Sequence, residues 1–272
     1  MKLITFNPFR TIGLPGVQYI KPELMFRETD KLKEADVILF PEGWQVNAIQ
    51  YGLKKPIFPS PETIQLGYDK VEMTRAFWTI CPEHVPYTEI LGRSERNIQY
   101  ILDTFPFPFV AKEPRNSMGR GVFLIESKED LLAYAEHNPT LYIQEYLEME
   151  RDLRVCVVGD EIVAAYWRSG EGRFHNNIAR GGVVQHDHIP KEALDLTIQV
   201  AKELNIDHAG FDLAIVDGHI YFIEFNTLFG NEAIREMKIN LEEKILQYLL
   251  KKFQPLHPPN PFGKKVISEL SS

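Results

Sequence analysis

The stretch YFIEFNTLFG, residues 221–230, places a carboxylate and an amide two positions apart in an apolar run. These residues are Glu224 and Asn226, and their neighbours include Phe222, Ile223 and Phe225. Because side chains alternate along a strand, Glu224 and Asn226 would point to the same face. A charge on a buried face must be paired or must hold a metal, whereas the polar face of an edge strand is simply wet. The stretch alone leaves both interpretations open.

A second carboxylate, Asp212, lies one hairpin arm before this strand, and the hairpin turns at Asp217-Gly218. A regular two-residue turn would place Asp212 opposite Ile223 and point it away from Glu224. A three-residue loop or a bulge would instead pair Asp212 with Glu224. Three oxygen donors on one face suit Mg²⁺, so a metal site that includes Asn226 requires the second register.

The segment KEPRNSMGRGVF, residues 112–123, has the composition of a phosphate-binding loop. Lys112 ends a predicted strand, and Ser117, Gly119 and Gly121 follow in the loop. Small residues let backbone N–H groups approach anionic oxygens, and a nearby lysine supplies a point charge. The chain contains neither a P-loop motif nor GxGxxG after its first strand. Taken by itself, this loop fits a glycine-rich hairpin turn with a solvated lysine better.

The composition is that of an ordinary globular protein. The 272 residues are 44% hydrophobic and 25% charged, which suits about two subdomains. A net charge of -8 argues against non-specific nucleic-acid binding. Two cysteines build no disulfide framework or zinc pattern. No signal peptide and no apolar run of ~20 residues, the length that spans a membrane, is found. We therefore expect a cytoplasmic protein that binds neither membranes nor nucleic acid.

The elements that position these residues follow from local patterns. Ser127 and Asp130 resemble a capping box, Pro190 opens another helix, and Asn205 is expected to end that helix in the left-handed conformation. Strands are predicted at 2–6, 36–40, 55–60, 107–114, 121–127 and 141–147, hairpins at 151–168 and 211–225, and helices at 69–79, 127–136, 190–204 and 234–253.

DK at 69–70 is followed by a predicted helix and by VPYT at 85–88. Six motifs then come in one order along the chain: VAKEPRNSMGRGV, IQEYL, RDLRVCVVGDEIVAA, FHNNIARGG, AGFDLAIVDG and IEFN. This order resembles the ATP-grasp superfamily. Within it the chain is similar to the RimK-like ligases, which include ribosomal-protein glutamate ligases, and to bacterial glutathione synthetases. The resemblance covers about residues 35 to 235.

The resemblance implies an α/β (α+β) ATP-grasp fold, in which two α+β subdomains grip ATP. We expect a short N-terminal α/β domain at 1–67, the ATP-grasp domain at 68–253 and a proline-rich tail at 254–272. The lid subdomain would span about 97–147 and the metal-binding subdomain about 148–253.

The resemblance also implies a role for each motif position. Lys70 and Lys112 would bind the ATP phosphates, and the loop with Ser117, Gly119 and Gly121 would cover them. The hinge beside adenine would be formed by Gln144, Glu145, Tyr146 and Leu147, and Asp152 would lie near the ribose. Asp212, Glu224 and Asn226 would bind two Mg²⁺ ions, with Mn²⁺ as an alternative.

The implied reaction forms an amide. A substrate carboxylate attacks the γ-phosphate of ATP, and an amine then displaces phosphate from the acyl phosphate. Arg154 and Arg168 would hold the carboxylate or acyl phosphate, and Asn177 lies in the segment near them. The substrates would be an amino acid, a small peptide or a protein tail, and related folds often form homo-oligomers. An ATP-grasp kinase and a non-catalytic ATP-binding protein remain the alternatives.

Two departures from the family pattern bear on substrate handling. His175 stands where an arginine is expected, and histidine is shorter and often neutral near pH 7. The region before Asp69 is shorter than the domain that usually helps to bind the acid substrate. Arg10 is a candidate carboxylate contact there, although a plain surface loop is the simpler interpretation of that segment.

Overall fold

The computed structural model describes residues 1–116, 121–170, 183–230 and 232–253. The strands are β1 (Leu3–Thr5), β2 (Val17–Tyr19), β3 (Val37–Leu39), β4 (Ile57–Phe58), β5 (Thr88–Gly92), β6 (Phe109–Lys112), β7 (Val122–Ile125), β8 (Thr140–Glu145), β9 (Arg151–Val158), β10 (Glu161–Ser169), β11 (Val183–Gln185), β12 (His208–Val216) and β13 (His219–Asn226). The helices are α1 (Thr29–Glu34), α2 (Gly43–Asn47), α3 (Pro61–Leu66), α4 (Lys70–Ile80), α5 (Glu95–Thr104), α6 (Lys128–His137), α7 (Lys191–Glu203), α8 (Glu232–Glu236) and α9 (Leu241–Phe253). None of these helices is both long and apolar enough to cross a lipid bilayer.

The N-terminal sheet has the order β2-β1-β3-β4 and is parallel throughout. Its three buried strands β1, β3 and β4 confirm the predictions at 2–6, 36–40 and 55–60. Because the strands are parallel, the segments that follow β1, β3 and β4 emerge at one edge. That edge faces the rest of the molecule and carries part of the cleft described below.

A second sheet has the order β5-β8-β6-β7 and is antiparallel. Its apolar face packs against α5 and α6 in one core cluster. The predicted capping box is confirmed, since the Asp130 N–H donates to Ser127 Oγ at 3.2 Å and the Ser127 N–H donates to Asp130 Oδ2 at 2.9 Å. The edge strand β5 precedes residue 97, where the lid subdomain is predicted to begin.

The third sheet, β11-β10-β9-β12-β13, is antiparallel and carries the polar face that was expected. The β12–β13 turn has two residues, Asp217 and Gly218, yet Asp212 pairs with Glu224. A register shift after Asp212 makes Ile223 the extra residue of a bulge. The register that a shared site required is therefore confirmed, by a bulge rather than by a longer loop.

The bulge also explains the apolar neighbours of Glu224. Phe222 and Phe225 are an odd number of residues apart, and an unbulged strand would send them to opposite faces. Here both are buried in the same core cluster, where their rings lie 6.0 and 5.3 Å from that of Phe211. These aromatic residues anchor one face of the sheet while Glu224 remains on the other.

The N-terminal sheet ends at Phe58 and α4 begins at Lys70, so the proposed boundary between domains at 67/68 falls between them. The helix predicted at 190–204 is α7, and Asn205 follows it with the expected left-handed φ of 54°. The division into domains stays a prediction, and the predicted tail at 254–272 lies outside the described residues.

Candidate active site

Two buried lysines reach the site from different elements. Lys70 is the first residue of α4, which Asp69 caps by accepting the Val71 N–H at 2.9 Å. Its Nζ donates to the Asn116 carbonyl and lies 3.4 Å from Glu224 Oε2. Lys112 ends β6, and burial lowers its pKa to about 8, although Glu224 and Asp212 favour the charged form. Both acids therefore lie within electrostatic range of the Lys112 ammonium.

A chain of hydrogen bonds holds the Lys112 ammonium. Lys112 Nζ donates to Gln144 Oε1 at 2.6 Å, and Gln144 Nε2 donates to Thr88 Oγ1 at 2.8 Å. Thr88 Oγ1 in turn donates to the Pro86 carbonyl at 2.6 Å. Because an ammonium can only donate and a backbone carbonyl can only accept, the amide of Gln144 has a single orientation, with its oxygen toward the lysine.

Two arginines and two carboxylates form a buried ionic cluster on the same sheet. Arg154 binds Asp212 through both oxygens, at 2.5 and 2.9 Å, and Arg168 binds Asp152 through both oxygens at 2.8 Å. Arg168 Nη2 also lies 2.8 Å from Asp212 Oδ1, which joins the two pairs. The register places Arg154 opposite Asp212 and Arg168 opposite Asp152, with β9 between β10 and β12.

Each of these four residues is less than a tenth exposed. Burial alone would raise the pKa of Asp212, but Arg154 and Arg168 outweigh it and lower the pKa. The arginines predicted to contact substrate therefore hold acids in this structure. Asp152, predicted near the ribose, is a partner of Arg168.

Glu224 and Asn226, the other two predicted metal ligands, lie next to each other. Asn226 Nδ2 donates to Glu224 Oε1 at 3.2 Å, and both residues line a cleft of ≈ 500 Å³. Lys70 lines the same cleft. Two carboxylates and an amide, with no thiolate or imidazole among them, form a donor set that fits Mg²⁺. In the described ranges no cluster of three His, Cys, Asp or Glu residues could hold a metal ion.

The predicted hinge lies at the end of β8. The Glu145 N–H donates to the Tyr87 carbonyl at 2.9 Å, and Glu145 Oε1 accepts the Tyr87 N–H at 2.6 Å. Tyr146 and Leu147 follow outside the sheet, with Tyr146 exposed. The site thus places Gln144 beside Lys112 and Glu145 beside the segment that leads into β5.

The predicted phosphate-covering loop at 117–121 and the segment that contains His175 lie mostly outside the described residues. Ser117, Gly119, His175 and Asn177 lie outside the described residues. Gly121 is described, has a φ of 67°, and accepts the Glu113 N–H at 2.7 Å. A Cβ at Gly121 would lie 2.6 Å from Glu113 Oε2, so this position requires glycine.

Thr88 and Gly210 were not among the site residues predicted from the sequence. A Cβ at Gly210 would lie 2.8 Å from Arg154 Nη1 and 2.9 Å from Phe229 Cβ. The signal was the spacing of Gly210 and Asp212, which puts both on one face of β12. The signal for Thr88 was its place in VPYT, residues 85–88, although the sequence indicated no role for its hydroxyl. Arg10, considered as a carboxylate contact, donates to the Phe229 carbonyl at 2.8 Å.

The family model for the RimK-like ATP-grasp domain matches residues 80–249, and the chain belongs to this family. It is 29% identical over 163 residues to a probable alpha-L-glutamate ligase of Legionella pneumophila strain Corby, covering 57% of this chain and 54% of the relative. It is 31% identical over 150 residues to the ribosomal protein bS6–L-glutamate ligase of Escherichia coli O7:K1, covering 52% of this chain and 50% of that one.

The chain thus spans about half the length of these curated relatives. Among solved structures, a RimK domain ATP-grasp protein from Sphaerobacter thermophilus superposes with a TM-score of 0.69 at 13% identity. That superposition covers 91% of this chain and 99% of the other. It establishes the ATP-grasp fold that the motif order implied.

Proposed function

We propose that this protein is an ATP-dependent carboxylate–amine ligase that forms an amide through an acyl phosphate. The observation that carries the proposal is that Lys70, from α4, lies 3.4 Å from Glu224, while Lys112, from β6, is near enough to Glu224 and Asp212 for both acids to favour its charged form. Two buried ammonium groups facing two carboxylates suit a triphosphate with its cation. The family membership supports the same conclusion.

The chain's own residues would divide the work as follows. Lys112, held by Gln144, and Lys70, held by the Asn116 carbonyl, would bind phosphate oxygens and stabilise charge on the transferred group. Asp212, Glu224 and Asn226 would bind Mg²⁺, which would neutralise phosphate charge when bound. Arg154 and Arg168 lie beside Asp212, where either guanidinium could hold a carboxylate or acyl phosphate that approaches the acid.

The relatives support glutamate as one substrate class. Two of them are named for glutamate ligation, and one of these names a ribosomal protein as the other substrate. We propose an amino acid, a peptide or a protein tail as the carboxylate substrate, with an amino acid as the amine. Two Mg²⁺ ions and a homo-oligomer remain proposals from the family resemblance, and a cytoplasmic location remains a proposal from the composition of the chain.

The test is Mg²⁺-dependent release of ADP and phosphate with pools of amino acids, short peptides and polyamines, followed by mass spectrometry of the products. A ligase yields free phosphate and a product one water lighter than its two substrates combined. A kinase would leave phosphate on the product, and ATP binding without stimulated release by any pool would favour a non-catalytic protein. Glu224→Gln should abolish stimulated release, and if it does not, the assignment of the metal ligands is wrong.

A further inference from the structure

His208, the first residue of β12, is a buried histidine on the same face of the sheet as Asp212. Three phenylalanine rings contact its imidazole. The ring of Phe229 stacks on it with the centroids 4.7 Å apart, and the rings of Phe40 and Phe58 meet it edge-on at 5.3 and 5.4 Å. A polar ring buried among apolar side chains is costly unless its N–H has a hydrogen-bond acceptor.

That acceptor is a backbone carbonyl. His208 Nδ1 lies 2.8 Å from the carbonyl oxygen of Thr227. Because a carbonyl oxygen can only accept, the proton must be on Nδ1. Burial lowers the pKa of His208 to about 4, so near neutral pH the ring is uncharged and carries a single N–H. The imidazole is therefore a neutral donor of fixed direction, and its one N–H binds Thr227.

The segment that His208 holds begins directly after Asn226. Thr227 is also held from α3, because its hydroxyl donates to the Thr63 carbonyl at 3.0 Å. Two residues further along, Phe229 is buried with its ring against the imidazole. The chain that leaves β13 is therefore fixed within one residue of Asn226.

The backbone on the other side of Asn226 is fixed as well. The Phe225 N–H donates to Met73 Sδ at 3.2 Å, and Met73 lies one turn after Lys70 in α4. The amide nitrogen of Asn226 donates to Glu224 Oε1 at 3.2 Å, so its oxygen is the atom that can bind a cation. Contacts on both sides therefore determine where the Asn226 oxygen lies.

We propose that His208 is a positioning residue of the metal site: its Nδ1–H holds the Thr227 carbonyl, and this contact fixes the backbone from which Asn226 reaches Mg²⁺. Loss of a group that holds a ligand in this way typically weakens metal binding about 10- to 100-fold. The role of Asn226 as a ligand rests on the proposed function, whereas the hold on Thr227 rests on the contacts of His208 alone.

The test uses two variants of equal shape that differ in the donor. Asparagine and leucine both branch at Cγ, and only asparagine places an N–H where imidazole has Nδ1. His208→Asn therefore keeps the hydrogen bond without the ring, and His208→Leu loses both.

Amide hydrogen exchange of the nucleotide-free protein, measured by mass spectrometry over residues 222–230, reports the hold on Thr227. We expect exchange there to be at least about fivefold faster in His208→Leu than in the wild type or in His208→Asn. Exchange in α6, which belongs to another core cluster, should not change. A loss of stability of the whole protein would instead speed exchange in both places.

Calorimetric titration with the non-hydrolysable ATP analogue AMP-PNP, with and without Mg²⁺, measures the consequence for the metal site. The readout is the factor by which Mg²⁺ strengthens binding of the analogue. We expect this factor to fall about tenfold in His208→Leu and to stay within about threefold of the wild-type value in His208→Asn. Because asparagine buries a further polar group among the phenylalanines, His208→Asn should be no more stable than His208→Leu, and a purely structural role predicts no advantage for it.

Asn226→Leu separates failure of this proposal from failure of the proposed function, because it removes the ligand itself. It should lower the Mg²⁺ factor at least as much as His208→Leu does. The positioning role is overturned if Asn226→Leu lowers the factor while His208→Leu does not, if both His208 variants lower it equally, or if exchange over 222–230 is unchanged in His208→Leu. An unchanged factor in Asn226→Leu overturns the assignment of the metal ligands and the role of His208 with it. His208→Phe keeps an aromatic ring and lacks the donor, so it replaces His208→Leu if that variant does not fold.

Discussion

Arg154 holds both carboxylate oxygens of Asp212, at 2.5 and 2.9 Å, in a part of the sheet where neither side chain is more than a tenth exposed. Glu224, directly across the hairpin from Asp212, is only partly buried and lies 3.4 Å from Lys70. Two acids that would share a site therefore differ in how strongly the fold depends on them.

Asp212→Asn should both abolish stimulated phosphate release and destabilise the fold. Removing one partner from a buried charge network leaves an uncompensated charge, which typically costs about 3–5 kcal/mol. Glu224→Gln should abolish release while changing the free energy of unfolding by less than about 1 kcal/mol. Urea unfolding monitored by circular dichroism measures both values.

Asp187→Asn is the control for these variants, because Asp187 pairs with Arg151 at 2.6 Å but is largely exposed. It should cost under about 1 kcal/mol. Equal losses of stability for Asp212→Asn and Asp187→Asn would show that the buried cluster does not support the fold.

Thr88→Val should weaken ATP binding although Thr88 is assigned no contact with nucleotide. Without its hydroxyl, Gln144 Nε2 loses the 2.8 Å acceptor that fixes the amide, and the Gln144 oxygen is less firmly directed at Lys112. We expect about a tenfold rise in the Kd for ATP and a loss of about 1–3 kcal/mol in stability. Thr88→Ser keeps the hydroxyl, so calorimetry should find its Kd within about twofold of the wild type. If Thr88→Ser binds as poorly as Thr88→Val, the hydroxyl is not what positions Gln144.

The pH dependence of ATP binding should follow Lys112. Burial lowers its pKa from the ordinary 10.5 to about 8, so the ammonium of the free protein loses its proton above about pH 8. A neutral amine binds phosphate weakly, and we expect affinity for ATP to fall up to about tenfold per pH unit between pH 8 and 9.5. Lys112→Arg stays charged and should lack this fall. Calorimetric titrations at pH 7, 8, 9 and 9.5 compare the two, and parallel pH curves would exclude Lys112 as the titrating group.

The same pKa has the opposite consequence for stability. Because the folded-state pKa of Lys112 lies below the unfolded value, the unfolded chain binds more protons between about pH 8 and 10.5. The contribution of Lys112 to the free energy of unfolding therefore rises with pH through that window, while affinity for ATP falls. Deprotonation of Lys112 therefore cannot weaken ATP binding by destabilising the fold.

The hairpin register could be predicted because it follows from two local facts. The alternation of side chains and the position of Asp217-Gly218 left only two pairings, and a shared site for Asp212 and Glu224 selected the one that the bulge produces. The order of the motifs along the chain then indicated the fold, because it is the order in which the ATP-grasp elements that carry the site follow one another.

The arginine–acid pairs could not be predicted in the same way. Asp152 and Arg154 lie two residues apart on the same face of β9. Which acid pairs with which arginine depends on the strand order β10-β9-β12. That order is a matter of tertiary packing. The cleft that Lys70 and Glu224 line could not be predicted for the same reason, because it joins the edge of the N-terminal sheet to a strand near the other end of the chain.

Gly210→Ala tests whether the position of Arg154 matters for activity. The new Cβ would lie 2.8 Å from Arg154 Nη1 and 2.9 Å from Phe229 Cβ, so the guanidinium must shift away from its bidentate contact with Asp212. Overpacking of this kind costs about 1–3 kcal/mol, and we expect stimulated phosphate release to fall at least about tenfold. Gly92→Ala, where an added Cβ meets no atom within 4 Å, is the matched control and should retain activity. Wild-type release by Gly210→Ala, with a measurable loss of stability, would mean that Arg154 supports the fold but does not act at the reacting groups.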